Sequence, residues 1–280
     1  MTEQGRPLGQ HSARVKAARR LAKRSLRSRE RLFLAEGPQA VREAIRRPGT
    51  VVEVFSTQDC AARHPELAGQ AREQGLPWHH VGSEVLASIA QTVTPQGVVA
   101  VCHFVDRPLD VSLAGSPRLV ALCASVRDPG NAGTVIRCAD AAGADSVLLT
   151  GSSVDPYNGK CVRASAGSLF HLPVTTGVAV AVAVEAARAA GLVVVATDGA
   201  GETDLHEAEA VGRLGGPTAW IFGNEAWGLP PEVAALADAV LRVPMFGGAE
   251  SLNLATAAAV CLYTSARAQR RPEGCRVVAP

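Results

Sequence analysis

Aromatic residues are scarce. Phe, Trp and Tyr make up 4% of the 280 residues, which argues against a core built on stacked rings. Hydrophobic residues as a whole reach 47%. Alanine and valine supply most of them, a composition suited to close packing of helices on a sheet. Long apolar runs are missing: no stretch approaches the roughly 18 uninterrupted apolar residues that a membrane span needs. The basic N-terminus is followed by no apolar segment, so it does not read as a secretory signal. A cytoplasmic protein without a membrane partner is expected. Paired cysteines are missing as well. Cys60, Cys102, Cys123, Cys138, Cys161, Cys261 and Cys275 are odd in number, scattered, and form no C-x-x-C. Reduced, buried thiols are expected rather than a disulfide framework. His79-His80 has no Cys or His pair nearby, so no metal site is expected. There is no Ser-His-Asp order, no acid/base carboxylate pair, and no G-x-x-x-x-G-K-S/T phosphate loop.

Charge is present but uneven. The chain carries a net charge of only +2. Residues 1–31 nonetheless hold Arg6, Arg14, Lys16, Arg19, Arg20, Lys23, Arg24, Arg27, Arg29 and Arg31 against Glu3 and Glu30, which leaves the remainder acidic. A basic segment on an acidic body points to a polyanion such as a nucleic acid, with a solvated helix face as the plainer alternative.

Pattern divides the chain in two. Residues 106–117, DRPLDVSLAGSP, have the prolines, glycine and weak periodicity of a linker. Before them, residues 1–105 read as a small α/β domain. Helices are expected at 13–28, 38–47 and 59–74, with a short one in SEVLASIAQ. Strands are expected in RLFLAEG, VVEVFST, WHHVG and QGVVAVCHFV. After the linker, strands are expected at 118–125, 145–151, 169–174, 192–198, 218–223 and 239–245. Helices are expected at 132–143, 158–166, 179–190, 231–238 and 252–267. These strands are near-continuous apolar runs, as in parallel strands covered on both faces. The expectation is a mostly parallel six-stranded sheet with helices on both faces over 118–267, then a flexible tail at 268–280.

Open parallel sheets gather ligands at the strands' carboxyl ends, so the residues after each strand matter most. After the first come SVRDPG and NAGTVIR, where Asn131 suits a helix cap and Arg137 stands among packing residues. Arg137 is either a surface arginine or a group seeking a partner. After the fourth comes TDGAGETD. A G-x-G-x-x-G dinucleotide turn would need glycine at 204, where Asp204 stands, so that reading is set aside. After the fifth comes GNEAWGL, with Glu225 between Gly223 and Gly228. After the sixth comes VPMFGGAESLNLATAAAV, with Ser251 and Asn253 ahead of an apolar helix. Glycine-rich loops with few charges suggest a ligand held largely by backbone groups.

Together, N-x-G-(x3)-R in NAGTVIR, G-x-E-x-x-G-L in GNEAWGL, and VPM…ESLNLATAAAV resemble the three motifs of the SpoU (TrmH-like) family of SPOUT RNA 2′-O-ribose methyltransferases. The match spans roughly 118–267. RLFLAEGPQAVREA and QGVVAV resemble more loosely the ribosomal-protein-like substrate-binding domain of many members. The resemblance implies 2′-O-methylation of ribose in rRNA, or else tRNA, with S-adenosylmethionine as cofactor. It also implies a deep C-terminal trefoil knot, a homodimer, and an RNA partner. Carried over by position, Asn131, Arg137, Glu225, Ser251 and Asn253 fall on catalytic positions. Thr197, Gly223, Gly228, Val243 and Leu252 fall on cofactor positions. Arg163 falls where some members meet RNA, and Arg14, Lys16, Arg19, Arg20, Lys23 and Arg24 are the basic candidates of the arm. Asn224 and Ala226 occupy variable positions.

Overall fold

The computed structural model describes residues 7–270. In chain order the first elements are α1 (Ala13–Arg20), α2 (Arg24–Glu30), β1 (Leu32–Glu36), α3 (Pro38–Arg46), β2 (Val51–Ser56), α4 (Gln58–Arg63), α5 (Pro65–Glu73), β3 (Trp78–His80), α6 (Ser83–Ile89) and β4 (Val98–His103). Next come α7 (Leu109–Ser112), β5 (Leu119–Ala124), α8 (Pro129–Ala142), β6 (Ser146–Thr150), α9 (Gly159–Ala164) and β7 (Val174–Thr176). The last are α10 (Val180–Ala189), β8 (Val193–Thr197), β9 (Thr203–Asp204), α11 (Leu205–Ala210), β10 (Thr218–Phe222), α12 (Pro231–Ala234), β11 (Ala239–Arg242) and α13 (Leu254–Gln269). The chain forms two compact units. One comprises the residues up to Val105 together with Asp155–His171; the other comprises Asp106–Val154 and the residues from Leu172 on.

The first unit is built on a mixed four-stranded sheet in the order β1-β4-β2-β3, in which only the β2–β3 pair is parallel. The few aromatics are concentrated rather than spread. Phe33, Phe104, Tyr157 and Phe170 form a cluster in which Phe104 and Tyr157 stack at 3.7 Å. Composition alone argued against such a ring core.

Three expected elements differ here. The helix expected over 13–28 is interrupted at Leu21–Lys23. The Arg27 guanidinium takes the carbonyls of Leu21 and Ala22 at 2.9 and 2.8 Å, and its other edge pairs with Asp155 at 2.7 Å. The helix expected over 59–74 breaks at His64, because Pro65 disfavours helical backbone in the residue before it. The apolar run 169–174 is not one strand. Ser168–Phe170 is a 3₁₀ turn that buries Leu169 and Phe170, and only Val174–Thr176 pairs with β6.

The second unit holds a seven-stranded sheet, all parallel, in the order β7-β6-β5-β10-β8-β11-β9. Helices cover both faces. Val120, Leu122, Ala219 and Ile221 pack with Ala183, Val184 and Ala187 of α10. On the other face, buried Trp220 donates from Nε1 to Ser265 Oγ of α13 at 2.8 Å. The strand count exceeds the expected six by β9, two residues at the edge beside β11. It carries no apolar run to announce it. Arg242 Nη1 holds its approach by bonding the carbonyls of Gly201 and Glu202. A Cβ at Gly201 would stand 2.7 Å from Arg242 N, so this glycine serves a close chain approach, not a dinucleotide turn.

The segment 106–117 contains the short helix α7, and α13 runs to Gln269. The remainder of the expected flexible tail lies outside the described residues. Cys60, Cys102, Cys123, Cys161 and Cys261 are buried, and none is in a disulfide among the described residues. Burial pushes the Cys123 and Cys261 thiols up to about 12. Among the described residues no helix is long and apolar enough to cross a membrane.

Candidate active site

In the second unit all strands run parallel, and open parallel sheets gather ligands at the strands' carboxyl ends. A cavity of about 690 Å³ lies at the ends of β8, β10 and β11. Thr197, Gly223, Gly228, Val243 and Leu252, the five cofactor candidates, all line it, and so do Glu225 and Ser251.

The loop after β10 is a tight turn. Asn224 N donates to Gly228 O at 2.8 Å, and Gly228 N donates back to Asn224 O at 2.9 Å. Gly228 has φ +65°, where a side chain is strained. A Cβ on Gly223 would stand 2.5 Å from the Gly228 carbonyl carbon. Both glycines are therefore demanded by the backbone itself.

Glu225 closes this loop onto the loop after β5. Its carboxylate accepts from Arg127 N at 3.2 Å, Asp128 N at 3.0 Å and Asn131 Nδ2 at 3.1 Å. Burial works to raise its pKa, but hydrogen bonds from its own amide, from Arg127, Asn131 and Asp128 outweigh burial and hold it below the ordinary carboxylate range. A proton-transfer group at neutral pH needs the opposite shift.

Asn131 is the hub. While its Nδ2 bonds Glu225, its Oδ1 accepts from Asn253 Nδ2 at 3.0 Å. Asn253 in turn caps α13, with Oδ1 accepting from Ala255 N and Thr256 N. One chain of side-chain bonds thus joins the loops after β10 and β5 to the start of α13. The cap of α8 is Asp128, which accepts from Asn131 N at 2.9 Å. Asn131 was expected in that role and instead lies in the first turn of the helix, where its side chain bridges to Glu225 and Asn253.

Arg137 stands apart. It is exposed on α8, makes no hydrogen bond or ion pair among the described residues, and does not line the cavity. In the first unit, Arg14 pairs with Glu53 at 2.9 Å, and Arg163 pairs with buried Glu36 at 3.2 Å. Burial raises the Glu36 pKa, opposed by the Gln91 amide and by Arg163. Lys16, Arg19, Arg20, Lys23 and Arg24 are exposed and make no ion pair among the described residues.

Residues 118–263 match the SpoU rRNA Methylase family, and residues 12–100 match the MRM3-like substrate binding domain. The chain belongs to the SpoU rRNA methylase family. A curated relative, the Bacillus subtilis 23S rRNA (guanosine(2553)-2′-O)-methyltransferase RlmP, is 35% identical over 253 residues. The match covers 89% of this chain and 94% of that one. The AdoMet-bound rRNA methyltransferase from Sinorhizobium meliloti superposes with a TM-score of 0.80 at 33% identity, covering 92% and 96% of the two chains. The SpoU methyltransferase AviRb from Streptomyces viridochromogenes, in complex with AdoMet, gives 0.77 at 32% identity, covering 91% and 98%.

Within this SpoU chain two residues of the site escaped the sequence reading. Asn224, treated as variable, is buried; its Nδ2 donates to Ser125 O at 2.7 Å and its Oδ1 accepts from Ala226 N. The signal was an Asn opening a turn before a positive-φ glycine. Asp198, in TDG, lines the cavity one residue after Thr197, where its place at a strand's carboxyl end could have marked it.

Proposed function

We propose that this SpoU-family chain transfers the methyl group of S-adenosylmethionine to a ribose 2′-hydroxyl of RNA, with 23S-type rRNA favoured over tRNA. The carrying observation is the cavity lined by the second and third family motifs, with the first motif bonded to both through Asn131. The names of the relatives from B. subtilis and S. meliloti support the rRNA substrate. The lining suits the cofactor. Its volume lies within the range of small-molecule sites, roughly 300–1,000 Å³. Asp198, Asp204, Glu225 and Glu250 contribute carboxylates, and the lining's Arg242 is already bonded to two carbonyls. A ligand with a sulfonium and an ammonium group fits that field.

Bound there, the cofactor supplies the electrophilic methyl carbon. Gly223, Gly228, Val243, Leu252 and Thr197 hold its adenosyl part, largely through backbone groups. The protein's remaining task is to align the ribose oxygen and draw off its proton. Arg137 donates hydrogen bonds to that oxygen and to an adjacent phosphate, whose oxygen accepts the proton. A guanidinium with a pKa above about 12 is not itself the base. Its exposure and its absence from its own cavity support a homodimer in which it serves the partner's site. Ser251 and Asn253 shape the ribose side of the cavity, and Glu225 keeps the loops closed as an acceptor. The deep trefoil knot is part of this reading, and the close approach of Gly201 to the distant Leu241–Arg242 backbone is compatible with it. Residues 1–105 serve as the RNA-binding domain through Lys16, Arg19, Arg20, Lys23 and Arg24. Arg14 and Arg163 contribute less because each is already paired. The reaction belongs in the cytoplasm.

The test offers labelled S-adenosylmethionine with an unmodified 23S rRNA transcript and with unmodified tRNA. Label in a ribose of the rRNA is expected. Label in tRNA alone would reassign the substrate. S-adenosylhomocysteine binding without any transfer would leave an RNA-binding protein of the same fold.

A further inference from the structure

An exposed aromatic at the site plays no part in the chemistry above. Trp227 sits in the turn closed by Asn224 and Gly228 and is 52% exposed, whereas Trp220 is fully buried. Its sequence neighbours Ala226 and Gly228 both line the cavity. The Arg127 guanidinium carbon lies 5.0 Å from the centre of the indole ring. The Arg127 backbone N–H is bonded to Glu225 Oε2, so the loops after β5 and β10 present this pair together.

Half an indole left in water forgoes the burial that large apolar side chains normally find. Its sequence neighbours Glu225, Ala226 and Gly228 are exposed and small or charged, and add little apolar area to the ring. A protein-docking surface calls for a broader contiguous apolar area. The Arg127 guanidinium, meanwhile, has no hydrogen-bond acceptor among the described residues. A fixed aromatic face beside an exposed guanidinium is the chemistry that takes a nucleobase and its phosphate.

We propose that Arg127 and Trp227 form a stacking seat for a nucleobase of the substrate RNA at the mouth of the cavity. The base lies on the Arg–Trp pair, and Arg127 also bonds a phosphate of the same strand. Seating the base fixes the position of the ribose relative to the cavity, which is a positioning role and not a catalytic one. The proposal rests on the RNA methyltransferase reading.

Two measurements test it. The first uses W78F protein, in which the tryptophans are buried Trp220 and exposed Trp227. A single-stranded RNA oligonucleotide is expected to quench the Trp227 emission and to shield it from acrylamide. The second is steady-state transfer to a 23S rRNA transcript. Trp227→Ala is expected to raise the KM for RNA about tenfold, the scale of one lost base stack. S-adenosylhomocysteine affinity and sedimentation should stay unchanged. Trp227→Phe should restore most of the loss, and Arg127→Ala should lower the salt slope of RNA binding by about 1. An unchanged KM for RNA in Trp227→Ala would overturn the seat, as would RNA that leaves Trp227 emission untouched. A change in sedimentation in place of a change in KM would assign Trp227 to an interface between copies instead. Wild-type protein inert on every RNA would sink the parent reading, while quenching by the oligonucleotide would still uphold the seat.

Discussion

In the first unit, Lys16, Arg19, Lys23 and Arg24 are exposed and make no ion pair among the described residues. Around the cavity of the second unit, Glu225, Asn131 and Asn253 spend their hydrogen-bonding capacity on one another and on nearby amides. The contrast separates two kinds of recognition. Unpaired cations act at a distance on a polyanion and are screened by salt. Mutually satisfied polar groups act by holding a shape, and are insensitive to salt but intolerant of substitution. Arginine shows both uses within one chain: Arg27 is buried and bonded on both edges, while Arg137 is exposed and has no partner among the described residues.

The largest effect should come from Arg137, the unpaired cation assigned to chemistry rather than to attraction. Arg137→Ala should lower the transfer rate by at least about 100-fold, the scale of a lost proton-handling or charge-stabilising group. Calorimetry with S-adenosylhomocysteine should show unchanged affinity. Near-normal turnover would return Arg137 to the class of surface arginines. Next comes Gly223→Ala, which drives a methyl into the Gly228 backbone. Overpacking of this kind costs about 1–3 kcal/mol. Thermal unfolding should fall accordingly, and cofactor affinity should drop with it because the same turn walls the cavity.

Glu225 sharpens the contrast through pH. Its folded pKa is held below the ordinary carboxylate value, so its contribution is fully present above that value. It is lost as pH falls through the depressed folded pKa. Cofactor affinity of wild type should therefore be flat near neutrality and fall in acid, with Glu225→Gln weakened already at neutral pH. A variant with the wild-type acid limb would show that the loop is held by other groups. The smallest effect per residue belongs to the solvent-facing cations. Changing Lys16, Arg19, Lys23 and Arg24 to Gln should weaken RNA binding and flatten its salt slope, by up to roughly 0.7–0.9 for each phosphate contact removed. S-adenosylhomocysteine binding should not respond. RNA affinity indifferent to these changes would make the arm a solvated face.

How much of this was legible depends on the range of the interaction. The near-continuous apolar runs at 118–125, 192–198 and 218–223 announced buried parallel strands, and the loops after them pointed to the cavity. The differences arose where a distant residue decides the local structure. Nothing near Leu21 shows that Arg27 will take its carbonyl while Asp155 holds the guanidinium. Nothing in LFHLPV shows that Phe170 will stack at 6.0 Å on Phe33. At the site, residue types were readable but bonds were not. Asn131 looked like a cap because Asx residues cap helices, yet Asp128 three residues earlier fills that place and releases Asn131 to join the motifs. Asn224 was hidden for a similar reason, since its partner, Ser125 O, lies on another strand's end.

In the proposed reaction the cavity and Arg137 together methylate a ribose of rRNA. The most direct measurement is to map 2′-O-methyl groups on a 23S rRNA transcript treated with S-adenosylmethionine and either wild-type or Arg137→Ala protein. The prediction is one ribose made resistant to alkaline cleavage by wild type and left unmodified by the variant. A transcript with no resistant ribose, or one modified equally by both proteins, would contradict the account.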